Sequence, residues 1–190
     1  MTDFLYPFIE GGERDVEGLI ASLASSALAK EEESQVVQRA SMDHEGSGLR
    51  EAARDMAERF AAGGRLLTFG NGGSSTDATT LAALFADPPA GTRMPARCLN
   101  DENAVLTATG NDVGFDIAFS RQLIAHGRPG DMVVGFSTSG GSRNLLGAFR
   151  EATGRGILTV GLAGYGGGEM ATIGLDHCLV VDSASVHRIQ

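Results

Sequence analysis

The stretch Arg65 to Phe85, RLLTFGNGGSSTDATTLAALF, runs from a short apolar segment through a glycine-rich turn into residues that suit a helix. It predicts a buried strand feeding a loop. Backbone N–H groups of that loop, helped by the hydroxyls of Ser74, Ser75 and Thr76, would face an anion at the helix N-terminus. The same logic returns where Asp131 to Phe136 (DMVVGF) leads into Ser137-Thr138-Ser139-Gly140-Gly141-Ser142. Two such units in one small chain predict a single site between them, built to hold a phosphate.

At 190 residues and 42% hydrophobic the chain can bury one substantial core, which favours a single domain over 1–190. Within it, 1–63 would form an N-terminal arm and helices and 64–190 an α/β sandwich. A net charge of -9, with its 15 Lys+Arg scattered, argues against a nucleic-acid or anionic-membrane partner. Cys98 and Cys178 both sit in apolar runs and are expected to be buried thiols of a cytosolic protein. No apolar run approaches the ~20 residues of a membrane span, and Met1 to Gly12 has neither the basic start nor the long apolar core of a signal peptide. The expected location is the cytoplasm.

Phe4, Leu5, Phe8 and Ile9 make the first twelve residues an apolar arm, expected to pack on its own domain or on a second subunit. Val16, Leu19, Ile20, Leu23 and Ala27 then predict an amphipathic helix over 14–40, broken near Ser41 to Gly48. A second helix is predicted from the spacing of Leu49, Ala52, Ala53, Met56, Ala57, Phe60 and Ala61, with Ser47 as its cap and Gly63-Gly64 as its stop. From Arg65 onward strand and helix alternate. Strands are predicted at 65–69, 96–99, 132–136, 157–162 and 178–181, and helices at 77–85, 116–126 and 142–153, with a short turn around 168–173. Apolar strands separated by crossover helices imply a doubly wound, five-stranded parallel sheet behind an N-terminal helical pair. Ligands of such sheets bind beyond the C-terminal strand ends at the topological switch point.

Gly70-Asn71-Gly72-Gly73-Ser74 is not a Walker A loop, because no Lys follows, and it lacks the third glycine of a dinucleotide fingerprint. Taken alone it could be a tight turn. The second loop shifts the balance, since four hydroxyls and two glycines at a helix start are poor core material and good neutral donors to phosphate oxygens.

Together these loops resemble those of SIS (sugar isomerase) domains, specifically the phosphoheptose isomerase family. Asn111-Asp112-Val113-Gly114-Phe115-Asp116 is similar to that family's ND-x-G-[FY]-D segment, Gly164 to Gly168 to its G-x-x-G-G turn, and Arg188-Ile189-Gln190 to its RIQ. The resemblance covers nearly the whole chain. It implies a flavodoxin-like SIS domain, a homotetramer (or a homodimer) with sites at subunit contacts, and sedoheptulose 7-phosphate as ligand. On the same footing Ser137, Thr138, Ser139 and Ser142 would hold the phosphate, while Asn71, Gly72, Ser74, Asp112 and Gln190 would complete the sugar site.

The departures are equally specific. The family carries a metal-binding His and a metal-binding, proton-transferring Glu on the helix after the first loop, where this chain has Thr80 and Leu84. Gln190 matches a third ligand, and the family's fourth, a His two turns further on, lies beyond the last residue of this sequence; whether that end is artificial or natural stays open. With three of four ligands unmatched, no cofactor is expected and zinc least of all.

Aldose–ketose isomerisation needs a base that moves a proton between C1 and C2. The candidates left are Asp77, Asp112, His187 and Glu102. Asp77 could simply complement its helix dipole, and Glu102 is expected to cap the segment that follows. His44, His126 and His177 are read as structural or exposed. Three classes follow: an isomerase with a substitute base, a binding-only sugar-phosphate sensor, and a tetrameric interaction factor. The last rests on Leu99 to Ala108, which resembles the family's replication-initiator-associating branch about as well.

Overall fold

The computed structural model of the chain describes residues 16–183 and 185–189, and of His187 the backbone alone. The N-terminal arm and Gln190 lie outside the described residues. The chain divides into two units, Met1–Arg39 and Ala40–Gln190. In the first, Val16, Ile20, Leu23, Leu28 and Val36 project from the helix into solvent.

Where the sequence predicts a pair of N-terminal helices, there is one continuous helix, α1 (Val16–Ala61). Its glycines mark a packing contact and no break. Gly46 is buried, and a Cβ on Gly48 would stand 3.1 Å from Leu179 Cδ2, so Gly48 lets the helix lie close to the sheet. Ser47, expected as a cap, is an interior helical residue.

The second unit carries the predicted strands and crossover helices, with α3 and α6 in addition: β1 (Leu66–Gly70), α2 (Gly73–Ala86), β2 (Ala96–Cys98), α3 (Asn103–Asp112), α4 (Ala118–His126), β3 (Met132–Ser137), α5 (Arg143–Gly154), β4 (Leu158–Ala163), β5 (His177–Val180) and a short α6 (Val186–Ile189). All the pairings are parallel, in the order β2-β1-β3-β4-β5, so the switch point falls between β1 and β3.

The two-residue period of a strand sends alternate side chains to opposite faces. Leu67, Phe69 and Val133 join Phe119, Leu123, Leu145 and Phe149 of α4 and α5 on one face. Leu66, Met132, Val134, Leu158 and Val160 meet Ala52, Met56 and Phe60 of α1 and Leu81 and Phe85 of α2 on the other. That second face keeps a wide apolar groove of about 640 Å³ between α1, α2 and the sheet. Among the described residues no helix is long and apolar enough to cross a membrane.

Candidate functional site

Parallel pairing brings the C-terminal ends of β1 and β3 side by side, with Gly70 opposite Phe136. The two loops therefore emerge as neighbours. At Gly70 a Cβ would lie 2.3 Å from the carbonyl oxygen of Ser74, so only glycine lets the chain turn back into α2 this tightly. β2 has already ended, its last paired residue being Cys98 opposite Thr68. The Asn100 side chain takes over the ladder: Gly70 N–H donates to Asn100 Oδ1 (3.1 Å) and Asn100 Nδ2 donates to the Gly70 carbonyl (2.8 Å).

The second loop is braced from behind by a glycine turn. Gly140 has φ +61° and lies against Gly167, and Met170 N–H donates to its carbonyl at 2.8 Å. Inside the loop Gly140 N–H donates to Ser137 Oγ at 3.1 Å, and the hydroxyls of Ser137 and Ser142 share a bond of 3.3 Å. Gly141 N–H donates to Ser139 Oγ. Neither Gly72 before α2 nor Ser142 before α5 makes a side-chain capping bond. Both helices thus present N-terminal N–H groups and the positive end of a dipole without a side-chain cap, to the same edge of the sheet.

Ser74, Asp77, Ser137 and Thr138 line one open cavity of about 230 Å³ together with Phe136, Leu162, Ala163, Val181 and Ile189. Four of the residues singled out in the sequence thus meet. Asp77 lies beyond the first turn of α2. It stands three residues after Ser74 and so on the same helix face, which gives it a place in the cavity beyond simple dipole complementation. Burial pushes its carboxyl above the ordinary range.

Asn71, Gly72, Ser139 and Ser142 belong to the same loops without lining the cavity. Asn71 is instead tied to Asn144 in α5, with Nδ2 of each amide donating to Oδ1 of the other at 2.9 Å. Asp112 is exposed at the end of α3, accepts from Asn111 Nδ2 at 2.7 Å and does not line the cavity. Glu102 occupies the N-cap position of α3 but makes no capping bond; its carboxylate pairs with Arg97. His177, Nε2 to Asp55 Oδ2 at 2.8 Å, is structural as expected. The side chain of His187, and Gln190, lie outside the described residues. Asn100 and Asn144 escaped sequence reasoning: an Asn two residues after Ser142 was visible, but its partner was not.

The fit of a zinc ion is decided by the donors on α2. Thr80 and Leu84 lie on its exposed side, Leu84 51% exposed, and neither a hydroxyl nor an alkyl group is a useful zinc ligand. Among the described residues no three His, Cys, Asp or Glu side chains are grouped to hold a metal. The residues described do not fit the family's metal.

The fold and paired loops define a class: a flavodoxin-like sandwich whose switch point carries two neighbouring loops rich in glycine and hydroxyls. A model of the SIS domain matches residues 31–164. The phosphoheptose isomerase of Rhodospirillum rubrum is 44% identical over 144 residues, 75% of this chain and 76% of that protein. That of Solidesulfovibrio magneticus is 46% identical over 145 residues, 73% and 68% of the two chains. The structure of phosphoheptose isomerase GmhA from Neisseria gonorrhoeae superposes with a TM-score of 0.83 at 35% identity, covering 88% of this chain and 90% of that one. A phosphoheptose isomerase from Francisella tularensis gives 0.84 at 27% identity, covering 87% and 89%. The chain belongs to the SIS domain family, among the phosphoheptose isomerases.

Proposed function

We propose that the chain binds a phosphorylated sugar between the two loops, with sedoheptulose 7-phosphate as the nominal ligand, and isomerises it without zinc. The observation that carries this reading is the convergence of Ser74, Ser137 and Thr138 on one cavity beside two helix N-termini without side-chain caps. Hydroxyls and backbone N–H groups can hold a phosphate without a cationic side chain where helix dipoles supply the positive potential. Asp77, which lines the cavity with a raised pKa, is the candidate for proton transfer. Ser139, Ser142, Asp112, His187 and Gln190 remain in the proposed sugar and phosphate site on the strength of the family motif.

A second reading is favoured by Thr80 and Leu84: a domain that senses or holds a sugar phosphate, or an interaction factor, without turnover. The protein would act in the cytoplasm as a homo-oligomer, a tetramer or a dimer. The exposed Leu84, the exposed apolar residues of the first unit and the apolar groove on the second support self-association. Thermal unfolding with sedoheptulose 7-phosphate tests binding, and an isomerase assay in a chelator separates the readings. Stabilisation with turnover supports the first and stabilisation without turnover the second. No stabilisation by any sugar phosphate would contradict every reading that needs the ligand.

A further inference from the structure

We propose that Arg143 is a phosphate-binding side chain of the ligand site, and that Asp116 competes with the phosphate for it. The proposal rests on the reading that a phosphorylated sugar binds between the two loops, and adds a cation to a cradle otherwise made of neutral donors. Arg143 is the first residue of α5 and follows Ser142, whose hydroxyl is bonded to that of Ser137 in the cavity wall. Neither 70–77 nor 136–144 contains another Lys or Arg, so in a chain of net charge -9 this is the cation that adjoins the loops in sequence. Its position is electrostatically adverse. The positive end of a helix dipole favours a carboxylate and disfavours a cation, yet the first turn of α5 holds no acidic residue and begins on an arginine. An anion at that helix end reverses the sign. The guanidinium then meets opposite charge, and its planar fork of N–H donors suits phosphate oxygens.

In the structure Arg143 does not line the cavity, and its Nη1 stands 3.8 Å from Asp116 Oδ2. The turn Phe115–Ile117, which carries Asp116, rests on α5 one helical turn past Arg143, where a Cβ on Gly147 would stand 3.5 Å from the Asp116 carbonyl oxygen. The guanidinium is thereby drawn toward this turn. The Arg143 side chain is 83% exposed, and an ion pair this open and this long contributes little. Leaving Asp116 for a phosphate therefore costs little. A surface pair that only joined the turn to α5 would alter the melting temperature and leave ligand affinity unchanged.

The test is calorimetric titration of inorganic phosphate and of sedoheptulose 7-phosphate into the parent, Arg143→Gln, Arg143→Lys, Asp116→Asn and the double variant of Asp116→Asn with Arg143→Gln. Each is measured at low ionic strength and in salt of about 1 M, where the Debye length falls to about 3 Å. Arg143→Gln is expected to weaken both ligands about tenfold at low salt, the worth of one hydrogen bond to a charged group, and to keep part of that loss at high salt. Arg143→Lys should recover part of the affinity. Asp116→Asn should tighten both ligands in the parent and change nothing in the Arg143→Gln background. Unchanged affinity in Arg143→Gln overturns the proposal, as does a loss that vanishes at high salt, which would leave Arg143 with long-range attraction alone. An equal gain from Asp116→Asn in both backgrounds, or none in the parent, overturns the competition. A parent protein that binds neither probe removes the phosphosugar reading and the proposal with it, an outcome distinct from the others.

Discussion

Gly140→Ala probes the join between the second loop and the turn behind it. Gly140 has φ +61°, and a Cβ there would stand 1.9 Å from the carbonyl oxygen of Gly167. Two costs add: the left-handed backbone, roughly 1–2 kcal/mol for an L-residue, and relief of the overlap by moving one backbone segment off the other, about 1–3 kcal/mol. For a chain of this size each kcal/mol lowers the melting temperature by about 2–4 °C, so a fall of roughly 4–20 °C is expected. Relief also disturbs the site, because Gly140 N–H holds Ser137 Oγ and its carbonyl is held by Met170. Gly156→Ala, away from both loops, is the control: φ is +69° and no atom lies within 4 Å of the added carbon, so the packing overlap is absent. Thermal unfolding followed by circular dichroism, with and without sedoheptulose 7-phosphate, reads both effects. Gly140→Ala should melt several degrees below Gly156→Ala and lose most of the ligand-induced shift. Equal melting temperatures, or a full ligand shift in Gly140→Ala, would refute the packing argument.

Three further outcomes follow from the same geometry. Asp131 is buried at the N-terminal edge of the sheet and accepts from Arg65 N, Nε and Nη2 and from Arg128 N–H. Asp131→Ala removes the acceptor of these N–H groups and the partner that holds the Arg65 guanidinium above its ordinary pKa, while that guanidinium keeps its bond to the His126 carbonyl; urea denaturation should show a loss of about 1–3 kcal/mol. The raised pKa of Asp77 means the folded state binds its proton more tightly than the unfolded chain does, so this group favours folding in acid and loses that contribution as pH rises through the raised value. Asp77→Asn should then be the more stable protein at neutral pH, bind inorganic phosphate more tightly and converge with the parent in acid; a gap that widens in acid would contradict this. Phe149→Ala removes a ring that packs 5.2 Å from Phe69 and covers Gly135, and is expected to cost about 3–5 kcal/mol in the same urea assay.

The sheet was legible because the central strands β1, β3 and β4 are largely apolar on both faces and are bounded by glycine-rich turns. All five predicted strands fall within a residue or two of their observed positions. α3 was missed because it buries no residue and so shows no apolar stripe, while Thr107 turns its hydroxyl back onto the carbonyl of Asn103. The N-terminal break was misread because glycine in a helix signals either a stop or a close approach, and only the position of Leu179 distinguishes the two. In the site, the hydroxyl loops were visible as motifs. Asp77 reaches their cavity because α2 begins at Gly73, four residues before the predicted start, which puts Ser74 and Asp77 on one helix face. The brackets formed by Asn100 and Asn144 were not legible, because amide pairs join residues that only the tertiary fold brings together.

The central claim is that a phosphorylated sugar is held between the two loops by hydroxyls and helix N-termini, without a metal. Its most direct test is calorimetric titration of sedoheptulose 7-phosphate into the protein in excess chelator, repeated with Ser137→Ala and Thr138→Val. The account predicts saturable binding that survives the chelator and weakens at least several-fold in each variant, as expected for hydrogen bonds to a charged group at ~1.5–3 kcal/mol each. Binding that requires added zinc, or that is indifferent to both substitutions, would contradict it.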